Sequence, residues 1–154
     1  MGTHLVVQKR GRGGPAYRTP KHRFISSAKY PLVSGVKVRG QIMDFVQDPS
    51  KDTLLAHVLL EDGKMVYLLA SEGLRSNDDI QIGREARVAL GCVVPLGNVP
   101  DSNAVFNVEL QPNDGGKIAR TSGASATVVS HDEDTGIVTL RLSSKQVLKL
   151  SPEC

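Results

Sequence analysis

Two cations and three glycines lie close together in the stretch 112–123, which reads Pro-Asn-Asp-Gly-Gly-Lys-Ile-Ala-Arg-Thr-Ser-Gly. Lys117 and Arg120 would bring a point charge and a planar guanidinium group to one place, and both groups suit phosphate oxygens. Glycine can adopt a positive φ and expose its backbone N–H to an anion. These residue types at this spacing predict a loop that binds a polyanion. The remaining residues predicted to line it are Gly115, Gly116, Ser122 and Gly123.

Two other interpretations of this stretch are open. A nucleotide-binding P-loop needs a glycine five positions before the Gly-Lys pair, a Ser or Thr after the lysine, and then a helix. Gln111 and Ile118 occupy the first two of those positions, so an enzyme that binds a nucleotide phosphate here is the less favoured alternative. A surface loop whose cations are only solvated is the other one. No recognisable set of nucleophile, base and orienting residue is present, so we predict no catalytic residue.

Strands are expected to carry this loop. It lies between two β-like segments, predicted at Val105–Leu110 and Thr127–Ser130, and its length of about twelve residues is typical of a functional loop. Two further strands, Ile137–Leu142 and Val147–Leu150, are predicted to follow in the same β unit. The stretch Gly91–Asn103 is rich in proline and glycine, and it is predicted to be a linker that lies over the surface.

An earlier β unit is predicted from residue 33 onwards. Val36, Val38, Gly40 and Ile42 alternate with residues of the opposite face, as in a strand with one buried face. Four more strands are predicted at Leu54–Leu60, Lys64–Leu69, Ile80–Ile82 and Ala86–Leu90. A type I′ turn at Asp62-Gly63 is predicted to close the first hairpin among them. Five short strands without a long helix favour a small Greek-key barrel of the OB type.

Charge is distributed unevenly along the chain. The net charge is +3, from 19 Lys and Arg against 16 Asp and Glu, but residues 1–39 hold nine of these cations and no acid. Frequent glycine and proline between residues 8 and 23 disfavour a regular helix and a packed core. This arm is predicted to be disordered until it binds an anion such as RNA phosphate, and to release counterions as it does so. A nuclear-localisation signal is the competing interpretation of this basic run. The predicted contact residues of the arm include Lys9, Arg10, Arg12, Arg18, Lys21 and Arg23.

Composition argues against several classes of protein. Aromatic residues make up only 4% of the chain, which disfavours base recognition by a platform of aromatic side chains. Tyr17 in the arm could stack on a base or pack against the folded body. No apolar run approaches the ~20 residues of a membrane span, and the two cysteines and four histidines are scattered. We therefore predict a soluble intracellular protein without a metal, a cofactor or a small-molecule substrate.

Several short motifs occur in an order and at a spacing that are specific when taken together. The central one is the stretch 114–123, which 126–131 follows closely. The others are Gly11-Arg12-Gly13, Lys21-His22-Arg23, Gln47-Asp48-Pro49, Leu69-Ala70-Ser71-Glu72-Gly73, Val94-Pro95-Leu96 and Asn107-Val108-Glu109. Over nearly its whole length the chain resembles the universal large-subunit ribosomal protein family known as L-two, in its archaeal or eukaryotic form.

The resemblance implies an all-β fold in which an OB-like barrel is followed by an SH3-like barrel. A basic extended N-terminal arm precedes the first barrel, and a linker joins the two. The implied boundaries are 1–32 for the arm, 33–91 for the OB-like barrel, 92–104 for the linker and 105–154 for the SH3-like domain.

The resemblance also implies a function. It implies a structural constituent of the large subunit of cytoplasmic ribosomes, which binds large-subunit rRNA, contacts neighbouring ribosomal proteins and is not an enzyme. Such a protein supports subunit association and assembly of the peptidyl transferase region. Lys117 and Arg120 would contact RNA phosphates, the loop glycines would permit close approach, and His22 would join the arm contacts. A free-standing RNA-binding or translation factor built from SH3-like and OB barrels stays open as the alternative.

The sequence departs from the pattern of this family at several positions. Asn113 stands where a glycine is usual, and asparagine tolerates the left-handed φ of a turn. Cys92 replaces an expected asparagine, and Ser143-Ser144-Lys145 replaces a Pro-Ser-Gly turn. Members of the family continue beyond the position of Cys154 with a long glycine-, histidine- and lysine-rich extension, which leaves the completeness of the second barrel open.

Overall fold

A computed structural model describes residues 11–18, 21–31, 36–132 and 135–154. The predicted arm contacts Lys9 and Arg10 lie outside this range. The described residues form two four-stranded antiparallel sheets. The all-β fold predicted from the sequence is therefore confirmed.

The first sheet contains β1 (Lys37–Gln47), β2 (Leu54–Leu60), β3 (Met65–Leu69) and β4 (Asp79–Gly83). Its strand order is β3-β2-β1-β4, so the fourth strand returns to lie beside the first, which is the Greek-key arrangement. Alternation along the strands buries one face, on which Ile42, Val58 and Ile80 are almost inaccessible to solvent.

The hairpin between β2 and β3 lies where the sequence predicted it, but its turn differs. Only Gly63 has a positive φ there, +80°, whereas a type I′ turn needs two such residues. The backbone N–H of Gly63 donates to the carbonyl of Leu60, and the N–H of Leu60 donates to the carbonyl of Lys64. The loop therefore has three residues, with glycine at the left-handed position next to the second strand.

The prediction of a strand at Ala86–Leu90 is wrong. This segment is irregular, and the N–H of Arg87 donates to the side chain of Gln81 instead of to a neighbouring strand. Pairing with β4 is made further along the chain by Val93, whose N–H donates to the carbonyl of Gln81 at 2.8 Å. The alternation of apolar residues in this segment reflects no buried face, since Val88 and Leu90 are both exposed.

The second sheet contains β5 (Ala104–Val105), β6 (Ala126–His131), β7 (Val138–Leu142) and β8 (Val147–Leu150), in sequential order. The strand predicted at Val105–Leu110 is much shorter than expected. Asn107 adopts a φ of +52°, which ends the extended conformation, and Val108 makes only an isolated bridge to Ile118.

The segment predicted to lie over the surface as a linker contributes to the second core. Leu96 and Val99 are each 4% exposed and pack with Val128 and Leu140 of the second sheet. A 3₁₀ turn, Leu96–Asn98, gives this segment its local shape. It is a structural part of the second unit and not a surface crossing.

The arm also differs from a fully extended chain. Its described part contains two 3₁₀ turns, Pro15–Tyr17 and Lys21–Arg23. Further along, Ala28 is buried in a small cluster with residues of the first sheet and with Phe106 of the second unit. This part of the arm therefore packs on both β units. Within the described ranges, no helix is long and apolar enough to cross a membrane.

Candidate nucleic-acid interface

The glycine-rich loop is a compact hairpin. The N–H of Val108 donates to the carbonyl of Ile118, and the carbonyl of Val108 accepts from the N–H groups of both Lys117 and Ile118. The chain reverses between these residues through Asn113, Gly115 and Gly116, which have φ values of +67°, +87° and +86°. Asparagine at position 113 therefore does adopt the left-handed conformation expected of it.

Two carboxylates of the chain already occupy the backbone donors of the loop. Glu109, which is 8% exposed, accepts from the N–H groups of Asn113 at 3.0 Å and of Gly115 at 2.9 Å. Asp114 accepts from the N–H of Gly116 at 3.2 Å. The prediction that these glycines present free N–H groups to an anion is wrong, because a phosphate would first have to displace a carboxylate.

The space around Gly115 and Gly116 also indicates that these glycines do not admit an anion. A Cβ on Gly116 would lie 2.7 Å from the carbonyl oxygen of Asn107 and in contact with its side-chain amide, and one on Gly115 would lie 3.1 Å from the side chain of Lys29. At Gly123, by contrast, no described atom lies within 4 Å of the Cβ position. Close packing inside the protein explains the first two glycines.

Lys117 is held at the surface of the loop by Asp114. Its Nζ lies 3.2 Å from Asp114 Oδ2, while 57% of the lysine side chain stays exposed. Partial burial of Asp114 acts to raise the pKa of its carboxyl group, but hydrogen bonds from Lys117 and from three backbone N–H groups outweigh it and lower the pKa. An ammonium group has three N–H donors, so the exposed Lys117 can contact an external phosphate while it stays paired with Asp114.

Arg120 links the loop to the arm. Its Nη1 donates to the carbonyl of Gly116 at 3.0 Å, and its Nη2 donates to the carbonyl of Ala28 at 2.9 Å. Because both of these partners are neutral carbonyl groups, the guanidinium charge is not cancelled by them. The arm is fixed a second time by Tyr30, whose hydroxyl donates to the carbonyl of Asn107 at 2.6 Å. Burial raises the pKa of this tyrosine well above its ordinary value.

A lysine from the first β unit also reaches the arm. Lys51 Nζ donates to the carbonyl of Ser26 at 2.7 Å and forms an ion pair with the buried carboxylate of Asp48. The hydrogen bond from Lys51 and that from the backbone N–H of Ser50 lower the pKa of Asp48 to about 2. Asp48 therefore stays charged and orients Lys51 toward the arm.

These contacts create a groove of about 410 Å³ between the arm and the two β units. Three cationic residues line it, and each comes from a different segment: Lys29 from the arm, Lys51 from the turn after β1, and Arg120 from the loop. Its other lining residues are Phe24, Ile25, Ser26, Ser27, Ala28 and Ser50. Asp48 compensates the charge of Lys51, whose Nζ also donates to the Ser26 carbonyl and to Ser50 Oγ, so Lys29 and Arg120 supply the uncompensated positive charge. Cations beside serine hydroxyls suit phosphate oxygens, so the groove can bind a phosphodiester backbone.

Sequence reasoning missed Lys29 and Lys51. In the sequence Lys51 lies between two acids, Asp48 and Asp52, in a segment with the composition of a solvated turn. Only the fold places it beside the arm. No signal in the sequence alone distinguishes Lys29 from the other cations of the first 39 residues.

The remaining predicted contacts are not brought into the groove lining. Arg12, Arg18, Lys21, His22 and Arg23 are exposed in the arm. Ser122 and Gly123 are exposed at the far side of the loop, along a second and larger cleft of about 1460 Å³ that Arg120 also lines. The structure thus joins Gly115, Gly116 and Arg120 into one unit with the arm.

The protein is therefore an all-β protein in which a basic arm, a turn and a loop meet around a cationic groove. Residues 89–154 match the family described as Ribosomal Proteins L2, C-terminal domain. The chain is 41% identical over its full length to the large ribosomal subunit protein uL2 of Natronomonas pharaonis and covers 63% of it. It is 42% identical, again over its full length, to the protein of that name from Korarchaeum cryptofilum, of which it covers 62%.

A third relative, uL2 of Methanothermobacter thermautotrophicus, is 35% identical over the whole chain, which covers 65% of it. These similarities confirm the resemblance to large ribosomal subunit proteins of the uL2 family that the sequence motifs indicated. The chain spans a little under two thirds of the length of the curated relatives that it matches.

Proposed function

We propose that this protein is a structural constituent of the large ribosomal subunit and binds large-subunit rRNA through the groove between the arm and the two β units. The observation that carries this proposal is the meeting of Lys29, Lys51 and Arg120 from three separate segments in one groove. Folding is needed to bring these charges together, so the groove is a property of the native protein and not of a merely basic stretch.

Recognition in this groove is expected to be by backbone shape and charge. Helical RNA hides its base edges in a deep, narrow major groove, so proteins contact mainly its phosphates and 2′-hydroxyl groups. Such contacts position a protein without reading sequence directly. The exposed Lys117 of the loop and the exposed cations of the arm would extend the phosphate contacts beyond the groove. Nucleotide binding by the loop is disfavoured, because Glu109 and Asp114 occupy its backbone donors.

We propose the wider role of the protein from its similarity to uL2 proteins. The protein would act in cytoplasmic ribosomes, beside neighbouring large-subunit proteins, and would support subunit association and assembly of the peptidyl transferase region without catalysing a reaction. We further propose that the chain is organised as an arm (1–32), an OB-like barrel (33–91) and an SH3-like domain (105–154), with the connecting segment 92–104 packed into the core of the second unit.

Lys29→Ala tests the groove, because the Lys29 side chain is exposed. The aliphatic part of this side chain lies beside Gly115, so circular dichroism would first show that the variant keeps its fold. Its affinity for protein-free large-subunit rRNA would be measured by filter binding over a range of salt concentrations. Loss of one phosphate contact should weaken binding and reduce the slope of log K against log salt by about 1. Lys29→Arg should retain the slope, and Lys149→Ala, on the exposed face of β8, is the matched control.

Binding and a salt slope equal to those of the wild type in Lys29→Ala would overturn the groove assignment. An equal loss in Lys149→Ala would do the same, since it would show that any surface lysine contributes as much.

A further inference from the structure

One pair of rings on the first sheet is unexplained by the groove. His57 of β2 and Tyr67 of β3 are directly opposite each other in the register, and their rings are stacked with centroids 4.7 Å apart and planes 8° from parallel. Both residues are partly exposed. The scarcity of aromatic residues in the sequence disfavours a platform of Phe and Tyr side chains, but a histidine ring can also take part in stacking.

The pair lies on the outer face of the sheet. Along β2, Ala56 and Val58 point into the first core, so the alternate residues Leu55 and His57 point away from it. Tyr67 is on β3, which is the edge strand of the sheet, so none of the described strands continues the sheet beyond it. One side of the stack is therefore bounded by β1, and the other is at the open edge.

The stack is also continuous with the groove. Tyr67 packs against the small cluster of Ala28, Leu55 and Leu69. Ala28 itself lines the groove, and its carbonyl accepts a hydrogen bond from Arg120. Ala28 thus belongs both to the lining of the groove and to the cluster on which Tyr67 packs. A polynucleotide held in the groove would therefore pass near the outer face of the sheet.

We propose that the His57–Tyr67 pair is a stacking site for an unpaired nucleobase of the RNA whose phosphates occupy the groove. Stacking on an aromatic ring accepts any base, because every base has a π-face, and the face of strands 2 and 3 is where OB-type barrels bind oligonucleotides. This inference depends on the proposed RNA binding. It adds that the RNA there presents a splayed nucleotide and not only a continuous helix.

The test compares two labelled RNA decamers, an oligoadenylate and one with the same phosphates but abasic sugars. Binding of each to the full chain would be measured by fluorescence anisotropy at low salt. Tyr67→Leu, which keeps apolar bulk, should weaken oligoadenylate binding by about five- to a hundredfold. His57→Leu removes only the ring that supports Tyr67 from the side of β1 and should weaken it less. The same variants should leave binding of the abasic decamer within about twofold. Tyr67→Phe keeps the ring and should bind both RNAs as the wild type does.

Lys29→Ala separates the stacking site from the groove. If the groove binds phosphate, this variant weakens binding of both decamers equally; if only the groove assignment fails, it changes neither, while the base-dependent losses at Tyr67 and His57 persist. The stacking site is overturned if the wild type binds both decamers with equal affinity. It is also overturned if folded Tyr67→Leu, with β-sheet circular dichroism like that of the wild type, loses binding of both RNAs alike.

Discussion

Gly116→Ala and Gly123→Ala give a sharp test of what the loop glycines are for. Both residues have a positive φ, +86° and +71°, so an alanine at either position is strained. They differ in their surroundings, because a Cβ at 116 would collide with Asn107, whereas no described atom lies within 4 Å of a Cβ at 123. The pair thus separates backbone strain from steric conflict.

The expected magnitudes follow from these two contributions. A left-handed conformation costs an L-residue other than glycine about 1–2 kcal/mol, and forcing extra atoms into a packed site costs about 1–3 kcal/mol more. Gly123→Ala should therefore lower the free energy of unfolding by about 1–2 kcal/mol, and Gly116→Ala by about 2–5 kcal/mol. For a chain of this size the larger loss corresponds to a fall in Tm of roughly 5–15 °C.

Urea denaturation followed by circular dichroism would measure both variants without RNA. Asn107→Gly keeps a positive φ accessible at 107 and removes the colliding side chain, so it should restore part of the loss when combined with Gly116→Ala. Equal destabilisation by the two alanine variants would refute the packing argument. A Gly116→Ala protein as stable as the wild type but defective in RNA binding would restore the idea that this glycine admits a ligand.

Other perturbations test the remaining contacts. Glu109→Gln should lower the free energy of unfolding by about 1–3 kcal/mol in urea titrations, since an amide cannot accept both backbone N–H groups of the loop through two oxygens; an unchanged midpoint would contradict the role of this carboxylate. The carbonyl of Leu96 and the carboxylate of Asp101 raise the pKa of His131, so its contribution to stability should be present below about pH 6.5 and be lost as the pH rises through the raised pKa. The free energy of unfolding would be measured by denaturation at about pH 5.5 and about pH 8.5, and His131→Gln should remove the difference that His131 contributes between the two. Identical pH profiles for the variant and the wild type would contradict this role of His131. Deletion of residues 1–23 should shallow the salt dependence of rRNA binding, and an unchanged slope would mean that this part of the arm does not touch phosphate.

The positions of the strands were largely predictable because they follow from local patterns. The bounds of β2 and β8 agree with the prediction at both ends, since each combines apolar residues with clear turn signals on both sides. Local patterns failed at two places. They predicted a strand at Ala86–Leu90 that the structure lacks, and they extended the strand at Val105 as far as Leu110. A single left-handed residue, Asn107, interrupts the second of these, and such a φ is set by the surrounding loop.

The site was only half predictable for a related reason. The loop, Lys117 and Arg120 are visible in the sequence, because cations and glycines are clustered there. The hydrogen-bond acceptor for the backbone N–H groups of the loop depends on the orientation of the Glu109 side chain. The partner of Lys51 depends on the path of the arm. These contacts join residues whose proximity is decided by tertiary packing, so composition and spacing do not reveal them.

The most direct test of the central claim is equilibrium binding of the chain to protein-free large-subunit rRNA and to small-subunit rRNA, measured side by side at about 0.1 M and about 0.5 M salt, a range over which phosphate contacts weaken strongly. If the groove recognises the folded shape of its RNA, we expect saturable binding that favours large-subunit rRNA by at least about tenfold at both salt concentrations, since non-specific attraction to phosphate would not discriminate between the two RNAs. Equal affinities that decline together with salt would contradict this recognition, and would reduce the groove to a non-specific cationic surface.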